Sequence, residues 1–339
     1  MTWIRRMALF FLVALLTLYG AAVGAQSAPT LRFSLPPVLE ALPFAFAQEW
    51  GLFEEHGLSV ELIAIADNQQ RSAALMTGNL DALMEDVTRS ILDMASGNDI
   101  VITSASTSRP QTGGLTMALL SPAAFRVDSF DALMASNHAI GTLYRSDYEY
   151  LLDELLEVRL EDGAEPPRTM YFHDMLQMAV WFGAQTLPAA VLPEPYVSYL
   201  STYHPPGSQP IKLVIHDDFS NIGALPAVIV FQRAYTESQP ETVAAFYAAY
   251  REAIERMNAT PRDELIDLGI DAAISLFFQG ADRSVINQEV IDTIPIPVFE
   301  LPTALSQERY EDILAWMLQK GYAFKSPSYE EITDFQFVP

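Results

Sequence analysis

The chain has 339 residues, half of them hydrophobic, no cysteine, and 43 acidic against 19 basic side chains for a formal charge of −24. That length exceeds what a single core usually fills and predicts two lobes. The charge makes nucleic acid a poor partner, and the missing cysteine removes disulfides, zinc thiolate sites, iron–sulfur ligation, a thiol nucleophile and lipid attachment behind a signal.

In chain order, residues 1–25 read as a secretory signal: Arg5 and Arg6 form a basic start, Met7 to Leu18 an apolar core, and Val23-Gly24-Ala25 a small-residue cleavage site. Export to the periplasm behind a cleavable signal is the expectation. The uncharged run from Met7 to Leu31 keeps an uncleaved anchor as the alternative. Leu31 to Leu35 reads as a strand. From Leu42 to Ala66 a Pro43-Phe44 opening leads into a helical run Ala45 to His56, Gly57 stops it, and the alternating Leu58 to Ile65 forms the next strand. A helix over Gln69 to Thr77 closes at Gly78. A short strand over Asp81 to Met84, the pair Glu85-Asp86, a helix over Val87 to Ala95 and a buried strand over Ile100 to Ser104 follow.

The pattern restarts after Pro122 with helix Ser129 to Ala135, strand His138 to Leu143, helix Tyr148 to Glu157, strand Thr169 to Phe172, helix Met175 to Phe182 and strand Ala189 to Leu192. Two extended segments within Ile211 to Val230 return the chain, and the remainder is mainly helical. There, Ser238-Gln239-Pro240-Glu241 reads as a capping box before Thr242 to Met257, and Thr260-Pro261 as a helix start. Ser306 reads as the cap of Glu308 to Lys320, which Gly321 ends. Strands alternating with helices predict an α/β fold of two lobes, each a mostly parallel sheet flanked by helices. The expected first lobe is discontinuous (30–120 and 218–339) and the second inserted (121–217). Crossings near Leu119 to Pro122 and His216 to Leu225 would form a hinge that closes on a ligand.

In such sheets ligands sit beyond the carboxyl ends of strands, so the candidates lie in loops. Pro43 and Phe44 sit where the first such loop ends, and Phe44 and Tyr144 offer rings for stacking on a flat solute. Glu85 and Asp86 could accept hydrogen bonds from an amine or amidine, although Asp86 equally suits a helix cap. Ser104, Thr107 and Ser108 give a row of small donors and acceptors. Arg145 and Ser146 precede the Tyr148 helix, where a guanidinium and free N–H groups could hold a sulfonate, phosphate or carboxylate; Asp147 places a competing carboxylate at the same end. Glu194 either joins the pocket or pins a strand-to-helix turn. The five histidines have no metal-ligand spacing, and there is no Gly-x-Ser-x-Gly, P-loop or Gly-x-Gly-x-x-Gly, so no cofactor, metal or catalysis is expected.

Four motifs recur in order: Ala47…Gly51-Leu52-Phe53…Gly57-Leu58-Ser59-Val60, Gly78-Asn79-Leu80-Asp81-Ala82, Gly183…Ala189-Ala190-Val191…Glu194-Pro195-Tyr196, and Tyr310…Trp316…Gly321-Tyr322 with Phe335 to Pro339. Together they resemble the solute-binding proteins of ABC importers for sulfonates, taurine, nitrate and thiamine-pyrimidine precursors, which have the type II periplasmic binding fold. The resemblance implies an exported monomer that delivers a small molecule to the permease and ATPase of an importer. Adjacent carboxylates and available aromatics favour a thiamine-type pyrimidine or another amine-bearing heterocycle. Arg145 and the Ser/Thr loop keep sulfonate, taurine or nitrate as the alternative. Two further readings are an enzyme on the same fold, with Glu85 or His173 as acid or base, and a sensory domain. The missing cysteine sets aside the yeast-type pyrimidine synthase branch.

Overall fold

A computed structural model describes residues 30–110, 114–161, 163–202, 204, 209–223, 225–278, 288–293 and 295–338; the expected signal lies outside them. The chain opens with β1 (Thr30–Leu35), α1 (Leu42–Glu49), α2 (Leu52–Glu55), β2 (Ser59–Ala64), α3 (Asn68–Met76), β3 (Ala82–Glu85), α4 (Val87–Ala95), β4 (Ile100–Ser106) and β5 (Ser108–Arg109). It continues with β6 (Met117–Pro122), α5 (Phe130–Ala135), β7 (Ile140–Leu143), α6 (Asp147–Arg159), β8 (Thr169–Phe172), α7 (Met175–Gly183), β9 (Ala189–Pro193), α8 (Tyr196–Thr202) and β10 (Leu213–Asp217). The last part holds β11 (Ala227–Gln232), α9 (Arg233–Ser238), α10 (Pro240–Ala259), α11 (Arg262–Phe277), α12 (Gln288–Thr293), β12 (Val298–Phe299), α13 (Gln307–Gln319) and α14 (Tyr329–Ile332).

Two five-stranded sheets result, in the orders β2-β1-β3-β11-β4 and β10-β6-β9-β7-β8, with β12 and β5 forming a small ribbon. Each large sheet is parallel except around one strand, β11 in the first and β6 in the second. Those are the strands that begin after the chain has crossed between sheets. A chain arriving from the other sheet enters at the carboxyl ends of the resident strands and must run back against them. Accordingly Val228 at the start of β11 sits opposite Glu85 at the end of β3, and Met117 at the start of β6 opposite Pro193 at the end of β9. Both crossings therefore lie on the side where the parallel strands end.

The alternation of side chains along each strand sorts the core into three layers. Ala82, Met84, Ile229 and Phe231 face outward onto α1 and α10, in a layer rich in aromatics such as Phe33, Phe44, Phe246 and Tyr250. Ala118, Leu120, Ala190 and Leu192 face the opposite outside, onto α7 and α8. The alternate residues Leu83, Val228, Val230, Leu119, Ala189 and Val191 all meet in one middle layer with Leu151 and Leu155 of α6 and Ile313 and Met317 of α13. The two sheets thus share a core. Polar caps start the helices around it: Asp67, Asp86, Ser129, Ser146, Asp174 and Ser306 each accept a backbone N–H from the first turn of the helix that follows.

Several expectations are corrected. The helix expected over Ala45 to His56 is two helices, because Gly51 takes φ +70° between them; Gly57, at φ +76°, ends the second as expected. Ser238 closes α9 and its hydroxyl donates to the Ala234 carbonyl, so Ser238 to Glu241 is not a capping box; α10 starts at Pro240. Pro261 stands just before α11 rather than at its first position. A capping box that the sequence reading did not name joins Ser328 to Glu331. Leu119 to Pro122 is not a crossing: Met117 to Leu120 already pair with β9 in the second sheet, so the chain has changed sheets before Met117. Among the described residues no helix is long and apolar enough to cross a membrane.

Candidate functional site

A cavity of about 110 Å³ lies between the sheets, where the carboxyl ends of β3 and β9 and both crossing segments converge. Prolines and aliphatic side chains supply most of its wall: Pro36 and Pro37, Leu115 to Met117, Leu225 to Ala227, Pro295 and Pro297, and from the second sheet Leu143, Leu151 and Met175. Into this apolar shell project Glu40, Glu85, Asp86, Asp147 and Glu194, with Arg71 as the lone cation among the described lining residues. A cavity of about 150 Å³ holds one benzene ring, so this one suits a solute of roughly that size or less.

The polar groups divide into those already satisfied and those with capacity left. Glu194 accepts from the Ser198 amide at 3.0 Å and the Ser198 hydroxyl at 2.9 Å, which fixes the start of α8. Ser108 Oγ donates to Glu40 at 2.7 Å, and Thr107 Oγ1 donates to Glu300 at 2.8 Å. Asp147, the first residue of α6, reaches across to the amino terminus of α4. It accepts from the Val87 amide at 3.2 Å, the Thr88 amide at 3.0 Å and the Thr88 hydroxyl at 2.5 Å. Arg71 gives one nitrogen to the Ile65 carbonyl and another to Asn68 Oδ1, each at 2.6 Å, but its buried Nε has no partner. Glu85 accepts from Ser90 Oγ at 2.8 Å through one oxygen while its buried Oε2 has none.

Burial sets the protonation of these groups. Dehydration, reinforced by the charge of Asp93, pushes the Glu85 carboxyl well above the usual carboxylate range. Asp86 is pushed up to about 8 by dehydration first and the Asp147 charge second, against its bond from the Arg89 amide. Burial raises Asp147 and Glu194 too, opposed by the hydrogen bonds each accepts. Burial lowers Arg71, and the charges of Glu85 and Asp86 pull it back up. A cationic guest would reverse the shifts of Glu85 and Asp86, since each carboxyl would ionise to meet it.

No family model matches the chain, and no curated protein matches it in sequence. Solved structures do. The alkanesulfonate-binding protein SsuA of Xanthomonas axonopodis pv. citri is similar with a TM-score of 0.69 at 14% identity, covering 92% of this chain and 100% of its own. A Candida albicans protein described as exhibiting the generic periplasmic binding protein fold matches at 0.58 and 15% identity, over 90% of this chain and 96% of its own. This chain has the periplasmic binding protein fold. The nitrate-binding protein NrtA of Synechocystis PCC 6803 shares that fold at 0.60 and 12% identity, over 90% of this chain and 84% of its own. In this periplasmic-binding fold, the cavity occupies the space between the two sheet-based lobes.

Of the residues picked from sequence, Glu85, Asp86, Thr107, Ser108 and Glu194 line the cavity. The others sit elsewhere. Pro43 and Phe44 are buried in the first turn of α1, where Phe44 stacks on Tyr250 with ring centres 4.0 Å apart. Ser104 is buried under the Tyr247 hydroxyl, which donates to it at 2.9 Å. Ser146 caps α6 and donates to the Leu143 carbonyl. Arg145 turns away in a left-handed conformation, φ 51°, and lays its guanidinium over the Tyr144 and Tyr322 rings at 4.9 and 4.8 Å. Arg71 and Glu40 were missed, and Asp147 was read only as a complication for Arg145. A signal existed for Arg71: it stands four residues before Leu75, and both are buried on one side of α3.

Proposed function

We propose that the protein is an exported solute-binding component of an ABC importer, and that its two lobes close around a small amine-bearing solute for delivery to a permease. The fold and its solved neighbours support the general role. The sequence pattern divides the lobes as 30–120 with 218–339 and the inserted 121–217; because Met117 to Leu120 pair with β9, the inserted lobe is taken to begin with β6, at Met117. The observation that carries the amine is the acidic lining of the cavity. Among the described lining residues there are five carboxyl groups to one guanidinium, and Glu85 keeps a buried oxygen with no partner. A protonated nitrogen supplies what that oxygen lacks, and a charge-assisted hydrogen bond there is the strong kind. A flat amine-bearing heterocycle of the thiamine-pyrimidine type is of suitable chemistry for the small apolar chamber. Sulfonate or nitrate is the second reading, favoured by the partnerless Nε of Arg71.

The test is native mass spectrometry of the protein recovered from a periplasmic extract, with the bound solute identified after release. A small molecule with a protonatable nitrogen is expected. A sulfonate, nitrate, or a protein that retains and rebinds nothing would reject the proposal.

A further inference from the structure

We infer that Asp147 sets the sign of the solute: its carboxylate occupies the amino terminus of α4 and denies that end of the cavity to anions. The inference rests on the cavity being the solute site. A helix amino terminus beside a ligand cavity ordinarily receives anions, because its first N–H groups have no partner within the helix and the dipole favours negative charge. Here the donors of the first turn of α4 are already taken. Asp147 holds the Val87 and Thr88 amides and the Thr88 hydroxyl, while Asp86 holds the Arg89 amide at 2.6 Å. Asp147 is 5% exposed and lines the cavity.

It comes from a helix 60 residues further along the chain, anchored to the other sheet by the Ser146 cap, so the contact is made between lobes and not within one helix. Two buried groups independent of Asp147 point to a ligand at this same cavity. Arg71 and Glu85, both 2% exposed, each keep a buried polar atom without a partner, and both line it. An anionic guest would have to displace a buried carboxylate that accepts three hydrogen bonds, or lie beside its charge with no amide left to bind. A cationic guest meets neither obstacle.

Titration of the wild type and of Asp147→Ala with sodium methanesulfonate and sodium nitrate, followed by amide chemical shifts of Val87 and Thr88, tests this. The wild type should show no shift of either amide at millimolar anion. Asp147→Ala should bind at least one of the anions about tenfold or more tightly, a change of ~1.4 kcal/mol, with both amides moving. Asp147→Ser, which removes the charge and keeps a small hydroxyl in place of the carboxylate, replaces it should the alanine variant not fold. Anion-dependent shifts of Val87 and Thr88 in the wild type, or a folded variant that gains no anion affinity, overturn the inference. The amine proposal fails separately: a wild type blind to alkylamines and to anions alike rejects the amine and leaves the exclusion by Asp147 standing.

Discussion

The two sides of α6 treat buried carboxylates in opposite ways. On the side facing α13, Glu149 is 1% exposed and accepts from Lys320 at 3.0 Å, Tyr322 at 2.7 Å, Tyr171 at 3.1 Å and the Arg145 amide at 2.8 Å. One turn further along, Asp153 takes Lys320 and the Trp316 indole. On the side facing the cavity, Glu85 has a single donor for two oxygens, and the guanidinium of Arg89, whose charge most opposes the upward shift of Glu85, is spent on Ser72 and Asp93. Carboxylates that are fully bonded within the protein hold the lobes together. One left half-bonded at the wall of the cavity costs stability, and a guest would restore what it lacks.

The contrast breaks first at Glu149. Glu149→Ala strands four donors, one of them a cation, and should lower the unfolding free energy by roughly 3–5 kcal/mol in urea denaturation. A loss under about 1 kcal/mol would mean the seam is solvated and the distinction false. Glu85→Gln keeps the shape and the Ser90 bond while removing a group that burial already disfavours as an anion. It should leave stability within about 1 kcal/mol yet weaken alkylamine binding by about tenfold or more, read by calorimetry. Equal loss of stability and affinity would place Glu85 with Glu149.

The pH dependence sharpens the same contrast. Asp86 holds its proton in the folded chain up to about 8, whereas the unfolded chain releases it in the ordinary carboxyl range. The folded state therefore binds more protons over that interval, and this group lowers stability progressively as pH rises from about 4 to 8. Asp86→Asn retains a good helix cap and removes the slope, so the variant should gain on the wild type by up to about 1.4 kcal/mol per pH unit across that interval. Urea midpoints of the two proteins that run parallel from acid to neutral pH would contradict the assignment.

Much of the architecture was legible because it is written locally. Gly57 and Gly78, both left-handed, end the segments they were expected to end, and Ser306 caps its helix as expected. The errors arose where one local signal competed with another, as when Pro240 overrode the capping sequence that begins at Ser238. The lining of the cavity was half legible. Glu85, Asp86, Thr107, Ser108 and Glu194 lie at or just beyond strand ends, where the rule for open sheets points. Phe44 and Ser104 obeyed the same rule yet turned into the aromatic layer, because the packing of α10 onto the first sheet, contributing Phe246, Tyr247 and Tyr250, is not visible from either segment alone. Asp147 could not be read at all as a partner of Val87 and Thr88, since only the docking of one lobe on the other brings α6 to α4.

Isothermal titration calorimetry of the wild type with small amines, run near pH 7 in two buffers of different ionisation enthalpy, tests the central claim most directly. The account predicts saturable binding of an amine with release of protons to the buffer, as Glu85 and Asp86 ionise against the cation, and affinity that rises from pH 6 to pH 8. Binding of sulfonates or nitrate in preference to amines, or amine binding without proton release, would contradict it.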